Sequence, residues 1–125
     1  MKLRSIARRI AAYAWASPNT LIGLVAGLAV LPCGGTVRMV RGVAEFSAGI
    51  PLRVRFDAIT LGHVIIGVSE AKLAACRDHE HVHVRQYEAW GPFFLLAYAA
   101  SSAWQLVCGR SVYYDNYFER QARRA

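Results

Sequence analysis

The sequence predicts an α+β domain: N-terminal helices, a small and mostly antiparallel sheet, then three helices carrying a candidate metal site. Three observations lead there. Apolar residues recur at helical spacing over residues 2–31 and again from Ser69 onward. The stretch 36–66 between them is β-branched and partly alternating. A His-Glu-x-x-His spacing falls inside the second helical region. The 125 residues suit one domain, organised as an N-terminal helical segment, 1–35, and an α+β body, 36–125.

Leu3, Ile6, Ile10 and Tyr13 step by three and four with Lys and Arg between them, which makes residues 2–16 a basic amphipathic helix. Ser17-Pro18 reads as a new helix start, because Ser can cap and Pro loses no needed bond in a first turn. The second helix runs over 18–31 and stops at Pro32-Cys33-Gly34-Gly35. Thr36 to Phe46, broken by Gly42, and Arg53 to Ile66 read as two or three strands. In the second stretch Val54, Phe56 and Ala58 oppose Arg53, Arg55 and Asp57 across the pleat. Ser69-Glu70 opens a helix to about Glu88. Gly91-Pro92 breaks it, an apolar helix follows over Pro92–Val107, and Asp115 or Asn116 caps a short last helix.

The composition narrows function. The charged fraction, 18%, is below the roughly 25% of an average soluble domain, which hints at a membrane or a partner. The net charge is +7, with Lys2, Arg4, Arg8 and Arg9 near one end of the sequence and Arg120, Arg123 and Arg124 near the other. No nucleic-acid-binding signature accompanies them, so no nucleic-acid partner is expected. Cys33, Cys76 and Cys108 are too far apart for a C-x-x-C pair and read as buried or incidental thiols.

Chemistry concentrates in Asp78-His79-Glu80-His81-Val82-His83-Val84-Arg85-Gln86. Residues i and i+4 share a helix face, so the imidazoles of His79 and His83 converge on one ion, for which Zn²⁺ is the natural choice. Glu80 sits one position along, close enough to act as general base towards a metal-bound water. His81 projects about 200° from His79 and should be solvated or interfacial. A catalytic zinc site needs a third protein ligand, and His63, Glu88, Asp115 and Glu119 are the remaining choices, Glu88 lying off the ligand face. Asp78 could orient a ligand imidazole. Gln86 should make polar contacts at the helix face, and His63 is a candidate pocket group or an ordinary core histidine.

His79-Glu80-His81-Val82-His83 with Gln86, then Gly91-Pro92, an apolar helix, tyrosines and Glu119-x-x-Ala122, resembles small bacterial zincin-type metallopeptidases of the minimal gluzincin kind. The resemblance covers residues 59–125. It implies zinc, peptide-bond hydrolysis of a peptide or protein substrate, metal ligands His79, His83 and Glu119, and Glu80 as base. It also implies an edge strand, here within 59–66, that pairs with an extended substrate. An oxyanion-stabilising group would come from Tyr87, Tyr113, Tyr114 or Tyr117, with Tyr114 a pocket candidate.

The competing readings are a non-catalytic metal- or peptide-binding membrane-associated protein, and a small anchoring protein whose apolar helices are the function. Glu80 favours the enzyme, since a structural zinc site has no use for a base and normally closes with a fourth ligand. Ile10 to Val37 carries no charge, so a kinked span through Pro18 is expected to suit a membrane better than helix 92–107 does. If helix 92–107 crossed, Glu119 could return to His83 only through lipid as unpaired backbone. The chain is expected to be membrane-associated or cytoplasmic, and the basic flanks on both sides leave its orientation open.

Overall fold

The computed structural model describes residues 2–49 and 56–124. The alternation expected over Arg53–Arg55 lies outside these residues. Helix α1 spans Lys2–Val30, and a 3₁₀ turn, Leu31–Cys33, leads into the sheet. The strands are β1 (Thr36–Val40), β2 (Val43–Ser47), β3 (Ala58–Leu61) and β4 (Val64–Gly67). Helix α2 covers Glu70–Trp90, a 3₁₀ turn follows over Gly91–Phe93, and α3 (Phe94–Val107) and α4 (Tyr117–Arg124) complete the α+β architecture.

The two expected N-terminal helices are one. Pro18 lies inside α1, and a proline there should leave the Ala14 carbonyl without its donor. The Ser17 hydroxyl donates to that carbonyl at 2.7 Å, so the helix continues. By length and composition α1 is able to cross a membrane.

The sheet has four strands in the order β1-β2-β4-β3. The hairpins β1–β2 and β3–β4 are antiparallel, and β2 joins β4 in parallel, with Ala44 opposite Val64 and Phe46 opposite Ile66. Local pattern reveals hairpins, whereas a parallel join depends on how the two hairpins meet. Alternation along β2 and β4 then builds two cores. Val43 and Ile65 face α2, where they meet Leu73 and Val84. Ala44, Phe46, Val64 and Ile66 face α1, where Ala26 and Val30 close on them. The sheet is the middle layer between the two long helices.

Helix α1 reaches the sheet through a stripe of small residues. A Cβ on Gly23 would stand 2.8 Å from the Leu61 carbonyl oxygen, and one on Gly27 2.6 Å from the Phe46 ring. Asn19 Nδ2 donates to the Gly91 carbonyl at 3.1 Å, and Trp15 Nε1 donates to that of Ala89 at 3.2 Å. A third core, of Ala16, Tyr87, Phe94 and Phe118, forms where the four helices meet.

Candidate metal centre

Two capped helices position the cluster. Ser69 Oγ accepts the Lys72 amide and starts α2. Asn116 Oδ1 accepts the Phe118 amide at 2.9 Å and starts α4. Asp115, the other candidate, instead accepts the Ser111 amide. Phe118 and Ala122 are buried, so α4 lies close along α2 and brings Glu119 to His79 and His83. Glu119 Oε2 stands 2.9 Å from His79 Nε2 and 3.2 Å from His83 Nε2, and the two nitrogens are 3.3 Å apart. Ligands about 2.0–2.1 Å from a tetrahedral ion stand about 3.3–3.4 Å from one another. The His79 side chain keeps 22% exposure, which leaves the cluster reachable from solvent.

Gln86 decides the tautomer of His83. Its Nε2 donates to the Phe118 carbonyl at 3.0 Å and to Gln121 Oε1 at 2.7 Å, which turns its Oε1 towards His83 Nδ1, 2.8 Å away. His83 Nδ1 therefore carries the proton, and in the neutral ring Nε2 points a lone pair at the Glu119 carboxylate. Two lone pairs in contact repel unless a proton or a metal ion lies between them. Without a metal the electrostatics show this demand. Burial opposes charge on His83, yet Glu119 raises its pKa. Burial likewise opposes charge on Glu119, yet the bond to His83 and the contacts from Tyr98 and His79 bring it down to about 2. The Tyr98 hydroxyl donates to Glu119 Oε1 at 2.8 Å, which reserves Oε2 for the imidazoles.

Glu80 is buried beside this group. Burial raises its pKa, opposed first by a hydrogen bond from Thr60 and then by His83 and His79. Thr60 Oγ1 donates to Glu80 Oε2 at 2.7 Å. Thr60 lies on β3, an outer strand of the sheet. Val68 donates to the Asp57 carbonyl, so by antiparallel alternation the backbone groups of Ala58 and Thr60 face away from β4. The Thr60 carbonyl accepts the Tyr87 hydroxyl at 3.0 Å.

The other expected residues separate. His63 lies outside the cluster: its ring stacks on Tyr13, its Nε2 is 3.5 Å from Glu88, and its Nδ1 has no partner among the described residues. Asp78 does not orient an imidazole; it is exposed and pairs with Arg41 at 3.0 Å. Tyr114 is exposed, with the Arg123 guanidinium over its ring, and Tyr117 is exposed too. His81 keeps away from His79, His83 and Glu119 as expected, and of the two expected settings, solvent or an interface, it takes the interface. The sheet covers that face of α2, and His81 Nε2 meets Glu45 Oε2 at 3.0 Å. Cys76 is half-buried and Cys108 exposed, so neither is a core thiol, and the Cys33 side chain lies outside the described set.

Sequence reasoning passed over Tyr98 and Thr60. Tyr98 sits in an apolar helix with nothing local to mark it. Thr60 is the one hydroxyl in Ala58–Leu61, and that was the available signal. No protein family, curated protein or solved structure matches the chain, so the chemistry of this centre is argued from its own geometry.

Proposed function

We propose that this protein is a membrane-associated, zinc-dependent metallopeptidase of the zincin type. The observation that carries the reading is the lone pair of His83 Nε2, fixed by Gln86, facing Glu119 Oε2 beside a second imidazole. Two neutral imidazoles and a carboxylate are a donor set that suits Zn²⁺. His79 Nε2, His83 Nε2 and Glu119 Oε2 would hold the ion. When bound, zinc supplies a Lewis acid that polarises a carbonyl and lowers the pKa of water.

The remaining roles belong to the chain. Thr60 occupies Glu80 Oε2, which leaves Oε1 to take a proton from the attacking water and return it to the leaving amine. The outward backbone groups of Ala58 and the Thr60 amide would align an extended peptide, the Thr60 carbonyl being taken by Tyr87. Helix α1 supports the membrane half of the reading.

The test is metal content of the wild type and of His83→Ala and Glu119→Ala, followed by cleavage of an unstructured protein by wild type and Glu80→Gln. About one zinc per chain is expected, lost in both ligand variants. Glu80→Gln should keep its zinc and lose about 10²–10⁴-fold in rate. A wild type that takes up no metal when zinc is supplied would overturn the reading. Zinc with no Glu80-dependent cleavage would reduce it to a metal-binding protein.

A further inference from the structure

The first ten residues of α1, Lys2–Ala11, stand clear of the body. Every residue from Lys2 to Ala11 is exposed, whereas Ala16, Asn19, Gly23 and Gly27 further along are buried. Most helical stability comes from covering an amphipathic face, and nothing among the described residues covers this one. At about 100° per residue, Leu3, Ile6, Ile10, Leu21, Leu24 and Leu28 fall within an arc of about 60°, roughly 130° round from the buried stripe. All six are exposed. One apolar stripe therefore runs the length of α1 beside its contact with the sheet.

The charge along this stripe has one sign. Lys2 and Arg9 lie along the edge of it nearer the buried face, Arg4 and Arg8 lie behind it, and no acid occurs before Glu45. None of the four cations forms an ion pair among the described residues. Arg9 rims an open apolar hollow formed with Ile6, Ile10, Tyr13 and Ala14. An apolar stripe whose one hydroxyl, that of Ser17, is already bonded to the Ala14 carbonyl, edged by free cations, complements an anionic lipid surface better than a protein groove.

A crossing helix fits less well. Gly23 and Gly27 are seated against the β3–β4 hairpin and the Phe46 ring, so lipid cannot surround this half of α1 without drawing the sheet in. The outer strands β1 and β3 would then carry unpaired backbone groups into hydrocarbon.

We propose that α1 lies in the plane of an anionic bilayer surface, its apolar stripe at the headgroup–acyl boundary and Lys2 and Arg9 on lipid phosphates. This rests on the membrane half of the proposed function and is independent of the metal. The test is sedimentation of the full chain with vesicles of phosphatidylcholine, alone or mixed with phosphatidylglycerol, with zinc content measured on each preparation. Binding to the phosphatidylglycerol vesicles is expected, weakened about fivefold by each of Lys2→Gln and Arg9→Gln. It should be lost in Ile6→Asp with Ile10→Asp, and reversed by high salt and by alkaline carbonate. Equal binding to both vesicles that resists carbonate would overturn the proposal in favour of a crossing helix. Failure to bind either vesicle would overturn it as well, and a concentration-dependent dimer abolished by the paired aspartates would then make a second copy the occupant. Zinc-free protein that still binds anionic vesicles leaves this proposal standing while the metal reading fails.

Discussion

Histidine–glutamate clusters form on two opposite faces of helix α2, and the two differ in charge. Towards the sheet, Glu45 is held by Arg77 through Nε at 3.1 and 3.0 Å and Nη2 at 3.0 Å, and by His81 at 3.0 Å. Every partner there is supplied by the chain, and one carboxylate meets one permanent cation. Towards α4, Glu119 is met by His79, His83 and Tyr98, and Glu80 by Thr60. Two carboxylates share that face, and neither bonds a Lys or Arg. The first cluster is complete as folded. The second lacks positive charge, and that deficit separates a completed ion pair from the cluster proposed to receive an ion.

The largest expected effect breaks the complete cluster. Arg77→Ala should lower unfolding stability by about 3–5 kcal/mol, because Glu45 is left buried with His81 alone. Urea unfolding measures it, and a loss under about 1 kcal/mol would mean that Glu45 is not held by Arg77. Glu119→Gln should lower metal-free stability by less, since the amide can still accept from Tyr98 while the charge pairing with the imidazoles is lost, and the gain from zinc disappears. That gain is about 2.7 kcal/mol at a hundredfold excess over Kd. Thermal unfolding with and without zinc separates the two effects.

Gln86→Leu tests the tautomer argument at a smaller scale. It should weaken zinc binding about 10–100-fold with all three ligands in place, and unchanged affinity in a chelator competition would sink the argument. The pH dependence sharpens the same contrast. In metal-free protein the depressed pKa of Glu119 gives stability that is present above 4.5 and lost as pH falls towards about 2. The raised pKa of His83 gives stability that is present below 6.5 and lost as pH rises through the folded value. Saturating zinc should abolish the alkaline loss, and an alkaline loss that persists with zinc bound would place its origin elsewhere. The smallest effect lies in α1: Ser17→Ala should lower stability by about 1 kcal/mol, since it leaves the Ala14 carbonyl without a donor.

Legibility followed how local the signal was. Ser69, Asn116 and the spacing of His79 and His83 act within one or two helical turns, and the structure forms them where the sequence pattern put them. Continuity through Pro18 turned on one hydroxyl, which a proline rule does not include. The parallel join of β2 to β4 and the burial of His81 depend on elements far apart in sequence meeting in the right order. Helical geometry correctly turned His81 away from the ligands, yet it carried no information on which element, sheet or solvent, waits on that side.

Because Ser17 fills the gap left by Pro18, the 29 residues of α1 form one rod about 44 Å long. No turn or loop separates its free end from the part seated on the sheet. Whatever orients the free end therefore also orients the sheet and, through α2, the ligand cluster. On the proposed bilayer surface a continuous helix would hold the protein's attitude as an outrigger does, where a flexible tether would let the site tumble.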